Sequence, residues 1–427
     1  MWFNIFFKTL TSTSSRRRPT RRPAARLYLE PLEDRRLLSF SPAVTYPVGD
    51  GPAAMVTADF NRDGRLDLAV THYNTSDVSV LLGDAGGTFR SPLNSAGSGG
   101  TSVAVGDFNA DGRPDLAVGQ VFSSYVNVLL GNGNGTFAAP VSIDIGEYIG
   151  SRLSAVTVGD FNGDGKLDLG VTSHVEYPED FQIERRANVL LGNGTGSFAA
   201  PIVTSLGDGS VGYSNDYIAT VAADFNGDGK CDLAAGDYGP TSVAVLLGTG
   251  SGALRAPTYL TASVPIAAGD VSGDGKADLV TASGDQLAVL LGTGVGTFGA
   301  PQYSSVGSRP GPAALADFNG DGKADLVATG VGVLLGNGAG TFRSTQSPAL
   351  GTGLGIPAVG DFNRDGRPDV ASADYFADNV SVFLNDGTGP RRTPLRSPSA
   401  MRRSWRATSE RLRRRSHSPY HLLLPNP

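Results

Sequence analysis

Residues Asp59–Asp67 read DFNRDGRLD, and this nine-residue pattern returns six times. The other copies are DFNADGRPD from Asp107, DFNGDGKLD from Asp160, DFNGDGKCD from Asp224, DVSGDGKAD from Asp270, DFNGDGKAD from Asp317 and DFNRDGRPD from Asp361. Their first aspartates lie 48, 53, 64, 46, 47 and 44 residues apart. Self-similarity at such a period marks a repeat architecture, in which each unit buries its apolar face against its neighbours.

The flanks of the pattern read as strands. A short alternating run such as SVAVGD precedes each copy. After it come LDLAV or ADLVA, then VSVLLG, VNVLLG or VAVLLG, then a Gly-rich turn with Phe, as in GNGNGTF, then a Pro-led segment such as APVSIDIG. That is four short strands per unit with no room for a helix. Gly 58 and Pro 26 in 427 residues point the same way, since both weaken helix interiors. Four strands repeated four to eight times describe a β-propeller. We therefore expect an all-β fold of seven four-stranded blades over residues 41–389, with calcium-binding loops. The first blade should start near Ala53 and the last near Gly355. The last blade lacks an outer strand after Asp386, and Ser41–Gly49 (SPAVTYPVG) fits that pattern without a blade of its own. It is expected to pair antiparallel with Val380–Leu384 and close the ring.

The loop chemistry is that of a hard cation. Ca²⁺ takes six to eight oxygen ligands from carboxylates, amides and carbonyls. Positions 1, 3, 5 and 9 supply side-chain oxygens: Asp59, Asn61, Asp63 and Asp67; Asp107, Asn109, Asp111 and Asp115; Asp160, Asn162, Asp164 and Asp168; Asp224, Asn226, Asp228 and Asp232; Asp270, Ser272, Asp274 and Asp278; Asp317, Asn319, Asp321 and Asp325; Asp361, Asn363, Asp365 and Asp369. Position 7 would add a main-chain carbonyl, and the Gly at position 6 permits the sharp reversal. Up to seven Ca²⁺, one per blade, are expected. The Asp270 loop should be the weakest, with Ser272 at position 3. A helix-loop-helix calcium site would carry Glu at position 12, where the first loop has Val70.

The recurrent DxNxDGxxD loop with these strand flanks resembles the FG-GAP/VCBS repeats, as in the N-terminal β-propeller of integrin α chains. The resemblance covers about 42–389, with GTF and AAP-like variants in place of the FG and GAP dipeptides. It implies that the innermost strand of each blade precedes the loop. Further upstream, Leu27–Ser39 (LYLEPLEDRRLLS) is similar to a short motif at the start of repeat-bearing bacterial surface proteins. That similarity implies export to the extracellular space or cell surface, where calcium is abundant.

Charge divides the chain in three. Residues 1–40 hold nine Lys/Arg against three Asp/Glu, and residues 390–427 hold ten Arg against one Glu. The middle is left with 16 basic and 37 acidic residues, a net −21. Such a middle repels nucleic acid and attracts cations. Residues 1–40 read as a basic targeting or disordered segment, and 390–427 as an Arg-rich disordered tail. Cys231 is the lone cysteine, which excludes an internal disulfide framework. No stretch approaches the ~20 apolar residues of a membrane span.

Insertions mark the face expected to meet a partner. His174–Arg186 (HVEYPEDFQIERR) joins strands two and three of blade three, and Gly207–Tyr217 leads into blade four. Both map to the face opposite the calcium loops, with Gly146–Arg152 alongside. The candidate contacts are Tyr148, Tyr177, Phe181, Arg185, Arg186, Tyr213, Tyr217 and Tyr238. Six residues after the last loop Asp, four repeats carry Tyr73, His174, Tyr238 and Tyr375. These rings either stack on a ligand or cap blade packing. Only His72 and His174 lie in the repeats, with no GxSxG or HExxH. The leading expectation is a monomeric, non-catalytic, calcium-stabilised module that binds protein or carbohydrate on the insertion face. The alternative is a carbohydrate-active enzyme, a lyase or hydrolase on the same propeller.

Overall fold

The computed structural model describes residues 38–387 apart from 97–98, 121–122, 147–151, 178–181, 211–218, 237–242, 346, 348–349 and 351–356. The Leu27–Ser39 motif falls almost wholly outside the described residues, as do the head before it and the tail from 390.

Seven four-stranded antiparallel sheets follow one another in chain order. Blade one comprises Pro52–Ala58, Asp67–His72, Asp77–Leu81 and Leu93–Ala96. Blades two to six start at Ser102, Arg152, Ala219, Val264 and Ala313 and repeat that order. Blade seven holds Ala358–Gly360, Asp369–Asp374 and Asn379–Phe383. The innermost strand of every blade packs against the innermost strand of the next, and Ala358–Gly360 packs against Pro52–Ala58, so the ring closes. No helix occurs among the described residues.

The fourth strand of blade seven comes from the other end of the chain, as expected. Val44–Pro47 pairs antiparallel with Asn379–Phe383, with Val44 opposite Val382 and Pro47 opposite Asn379. Single contacts extend the seam: Ser41 N–H donates to the Leu384 carbonyl (2.8 Å) and Val48 N–H to that of Asp378 (3.0 Å). Leu38 and Phe40 pack into the core between blades six and seven, with Phe40 edge-on to Phe318 at 6.3 Å. Pairing removes an exposed edge that would invite association.

The apolar core is divided into seven inter-blade layers, each built from the facing residues of two neighbouring sheets. The second strands are buried along their length because neighbouring blades cover both faces, as in Asp115–Gly119. Outer strands such as Val141–Asp144 are covered on one side only and stay largely exposed. The alternation in the sequence therefore fades toward the middle of each blade and returns at its edge.

Candidate metal centre: seven acidic loops on one face

Each loop joins the first two strands of its blade, so all seven lie at the same end of the strands. Position 6 is a glycine with positive φ in every copy, from Gly64 (81°) to Gly366 (84°). The reversal folds positions 1, 3 and 5 around main-chain N–H groups. In the first loop, Asp59 accepts from Asp63 N (3.0 Å) and Gly64 N (2.7 Å). Asn61 accepts from Asp63 N (2.9 Å), and Asp63 from Arg65 N (2.9 Å). The same pattern holds around Asp107, Asp160, Asp224, Asp317 and Asp361. In the Asp270 loop, Asp270 still accepts from Gly275 N (2.7 Å), and Ser272 brings a single hydroxyl that reaches Asp270 at 3.4 Å.

Position 7 carries Arg or Lys in all seven loops, and in six of them it is paired with the Asp at position 5. The distances run from 2.6 Å for Arg367–Asp365 to 3.6 Å for Arg113–Asp111. The Lys166 N–H holds the Asp164 carboxyl below the usual range, and the Lys276 ammonium does so for Asp274. These side chains partly balance the acidic rim.

Position 9 has a different environment. Its aspartate is fully buried in every blade. One oxygen of Asp67 accepts from Phe60 N (2.9 Å) and Asn61 N (3.2 Å), and the other from Gly83 N (2.7 Å). The equivalent bonds recur in the other six blades, the last through Asn385 N. This carboxylate ties the start of the loop to the end of strand three. Burial pushes its pKa up in all seven, against the pull of these N–H groups, to about 6 for Asp67, Asp325 and Asp369. Gly83 is required at the other end, because a Cβ there would lie 2.2 Å from the Leu66 carbonyl oxygen.

Among the described residues no three Asp, Glu, His or Cys side chains converge as a preformed cage. The donor chemistry nevertheless suits a hard divalent ion. Positions 1 and 5 are rim carboxylates, position 3 is an amide or hydroxyl oxygen, and none is sulfur or nitrogen. Asp59, Asn61, Asp63 and the Arg65 carbonyl, with their counterparts, are the groups that would hold it. The position-9 carboxylates have main-chain bonds on both oxygens and support the loop from beneath.

Two features of the loop face escaped the sequence reading. One is the second role of position 9, whose partners are set by folding. The other is the Gly-rich turn between strands three and four. Its Phe meets the position-2 Phe of the preceding blade edge to face: Phe60–Phe137 at 5.6 Å, Phe108–Phe198 at 5.5 Å, Phe225–Phe298 at 5.5 Å and Phe362–Phe89 at 5.4 Å. The turn's N–H also bonds back, as Gly135 N does to Phe60 O (3.0 Å). The recurrent GTF is thus an inter-blade clasp.

The described part of the blade-three insertion lies at the opposite end of the strands. His174–Arg186 is mostly strand, not loop: Asp168–Tyr177 and Gln182–Leu190 extend the blade-three hairpin, with His174 opposite Arg185 and Tyr177 opposite Gln182. Arg185 and Arg186 are half-buried, and Arg186 pairs with Glu184 at 2.6 Å. Tyr148, Phe181, Tyr213, Tyr217 and Tyr238 lie outside the described residues, as does the side chain of Tyr177. Of the aromatics at the common offset, His174 is buried in its sheet, whereas Tyr73 and Tyr375 meet edge to face at 6.0 Å across the seam of blades one and seven. That contact is blade capping.

The profile of the FG-GAP-like repeat matches residues 59–118, 107–171, 224–281 and 270–328. The chain belongs to the FG-GAP-like repeat family. Among curated proteins none matches significantly. Solved structures are similar to it, and one of them shares its fold at a TM-score above 0.5. BBS1N in complex with ARL6DN is 12% identical over 83% of this chain and 98% of its own, with a TM-score of 0.53. A lectin from Agrocybe aegerita that recognises non-reducing terminal N-acetylglucosamine is 22% identical over 82% and 92%, with a TM-score of 0.48. A putative 6-phosphogluconolactonase from Bacteroides uniformis is 16% identical over 69% and 84%, with a TM-score of 0.47. No helix among the described residues is long and apolar enough to cross a membrane.

Proposed function

We propose that this FG-GAP propeller is an extracellular or cell-surface binding module, stabilised by Ca²⁺ in its loops and non-catalytic, that recognises protein or carbohydrate. The observation that carries this reading is the repetition of one hard-oxygen loop in all seven blades, on a segment with net charge −21. A single catalytic centre needs one unlike site, whereas seven like loops serve the ring as a whole. Calcium would neutralise the rim carboxylates and rigidify the ends of the strands, and the insertions on the far side would carry recognition. Export fits loops of the weak extracellular class, with affinities of ~10⁻⁴–10⁻³ M.

The test is a screen of glycans and surface proteins against the full-length chain, with and without calcium. Saturable binding that weakens on chelation is expected. Turnover of a polysaccharide, with cleaved product released, would replace this reading by the enzyme.

A further inference from the structure

The seven loops are not equivalent in their cationic residues. Blades three to six carry Gly at position 4 and Lys at position 7, whereas blades seven and one carry Arg at both and blade two carries Ala and Arg. These three blades adjoin across the closing seam. Position 4 demands a left-handed backbone: φ is 76°, 74°, 77° and 70° at Gly163, Gly227, Gly273 and Gly320. Arg62 and Arg364 adopt the same conformation at 61°. A side chain there costs on the order of 1 kcal/mol, which glycine avoids.

These two arginines are exposed, and neither has an ion pair among the described residues. The acidic groups beside them are engaged elsewhere. Asp63 is paired with Arg65 and Asp365 with Arg367, while Asp59 and Asp361 accept N–H groups of their own loops. The guanidinium of Arg364 reaches across to blade one, where a Cβ on Gly64 would lie 2.9 Å from its Nη2. Arg62 in turn reaches blade two, its Cδ 3.4 Å from where a Cβ on Gly133 would stand, beside Arg113. The result is a row of guanidinium groups stepping from blade seven to blade two. Large exposed apolar residues lie elsewhere, mainly on outer strands (Val44, Leu93, Val141, Val203), and none is in these loops.

We infer that this row is a binding site for a linear anionic polysaccharide. Guanidinium forks match carboxylate and sulfate oxygens. Charges repeated from blade to blade suit a polymer with charges at a regular interval. Protein interfaces have an apolar core, which these loops lack, so an acidic peptide fits less well. The inference goes beyond the calcium reading and stands without it. If that reading holds, filled loops add positive charge beside the same arginines and tighten binding.

The test compares the full-length chain with the double variant R62G/R364G, which installs the residue that four sister loops already use. The probe is a hyaluronate decasaccharide. Affinity is measured by calorimetry at two salt concentrations, and arginine modification by phenylglyoxal is mapped by mass spectrometry. The expected result is slowed modification of Arg62 and Arg364 by the probe, with Arg255 and Arg309 unaffected. The double variant should lose affinity about tenfold or more, as expected for charge-assisted bonds, with an unchanged or higher melting temperature. Unprotected arginines and unchanged affinity would overturn the proposal and assign binding to the Arg-rich tails. Equal protection by poly-glutamate at matched charge would overturn the polysaccharide assignment in favour of an acidic protein segment. The calcium-dependent shift in melting temperature is read on the same samples. If it is absent while protection persists, the calcium reading fails and the arginine site stands.

Discussion

The position-9 aspartate separates what one residue does for the fold from what its neighbours do for an ion. Asp67 is buried with three main-chain donors, whereas Asp63 sits on the rim beside Arg65. Asp67→Asn puts an NH₂ where an acceptor is needed and leaves a buried N–H unmatched, a loss of about 1–3 kcal/mol with or without calcium. Asp63→Asn should change the chelated protein little and lose only the increment from calcium. Denaturant melts of both variants, in calcium and in chelator, check the pair. The raised pKa of Asp67, Asp325 and Asp369, about 6 against 3.8, also has a sign. The folded state binds more protons than the unfolded one between those values, so stability falls as pH rises through that window. Chelated protein should therefore melt higher at pH 5 than at pH 7. A higher melting temperature at pH 7 than at pH 5 in chelator would contradict this. The sequence showed the oxygens of positions 1, 3 and 5 as a set. It could not show the partners of position 9, because the Gly83 N–H is delivered by strand three, sixteen residues along the chain.

Among the elements, the closing strand Val44–Pro47 has the clearest consequence. Tyr46 packs edge-on to Phe89 at 5.6 Å and its hydroxyl accepts from Phe89 N (3.1 Å), so the strand also touches blade one. Removing residues 1–49 exposes the edge of Asn379–Phe383 and opens the layer between blades six and seven. Removing 390–427 leaves each of these described contacts in place. The first truncation should lower the melting temperature by several degrees or more, and the second should leave it unchanged. Equal melting temperatures would refute closure as a stabilising device. This strand was legible because an orphan outer-strand pattern stood at one end and a blade lacking one stood at the other. The blade-three insertion was legible as extra length but not as strand, since HVEYPEDFQIERR has no clean alternation and its pairing with Ile202–Ser210 is a tertiary event. Replacing its tip, 176–183, by a short Gly-containing turn should shorten the hairpin without unfolding the ring, which circular dichroism and melting would verify.

At the scale of the whole molecule, seven like blades share one difficulty. Each gathers carboxylates at one end, and the middle of the chain carries net charge −21. In a calcium-free ring these charges repel, with Arg and Lys at position 7 as partial compensation. Filled loops would convert repulsion into attraction in every blade at once. Binding adds RT ln(1 + [L]/Kd), about 2.7 kcal/mol per site at a hundredfold excess. For a ring of this size that is on the order of 3–4 °C per filled site. The most direct measurement is scanning calorimetry of the full-length protein in excess chelator and across a calcium titration, with bound metal counted by equilibrium dialysis. We predict a melting temperature that climbs by more than about 10 °C, with up to seven ions bound and the Asp270 loop filling last. Superimposable melting curves in chelator and in millimolar calcium would contradict the account.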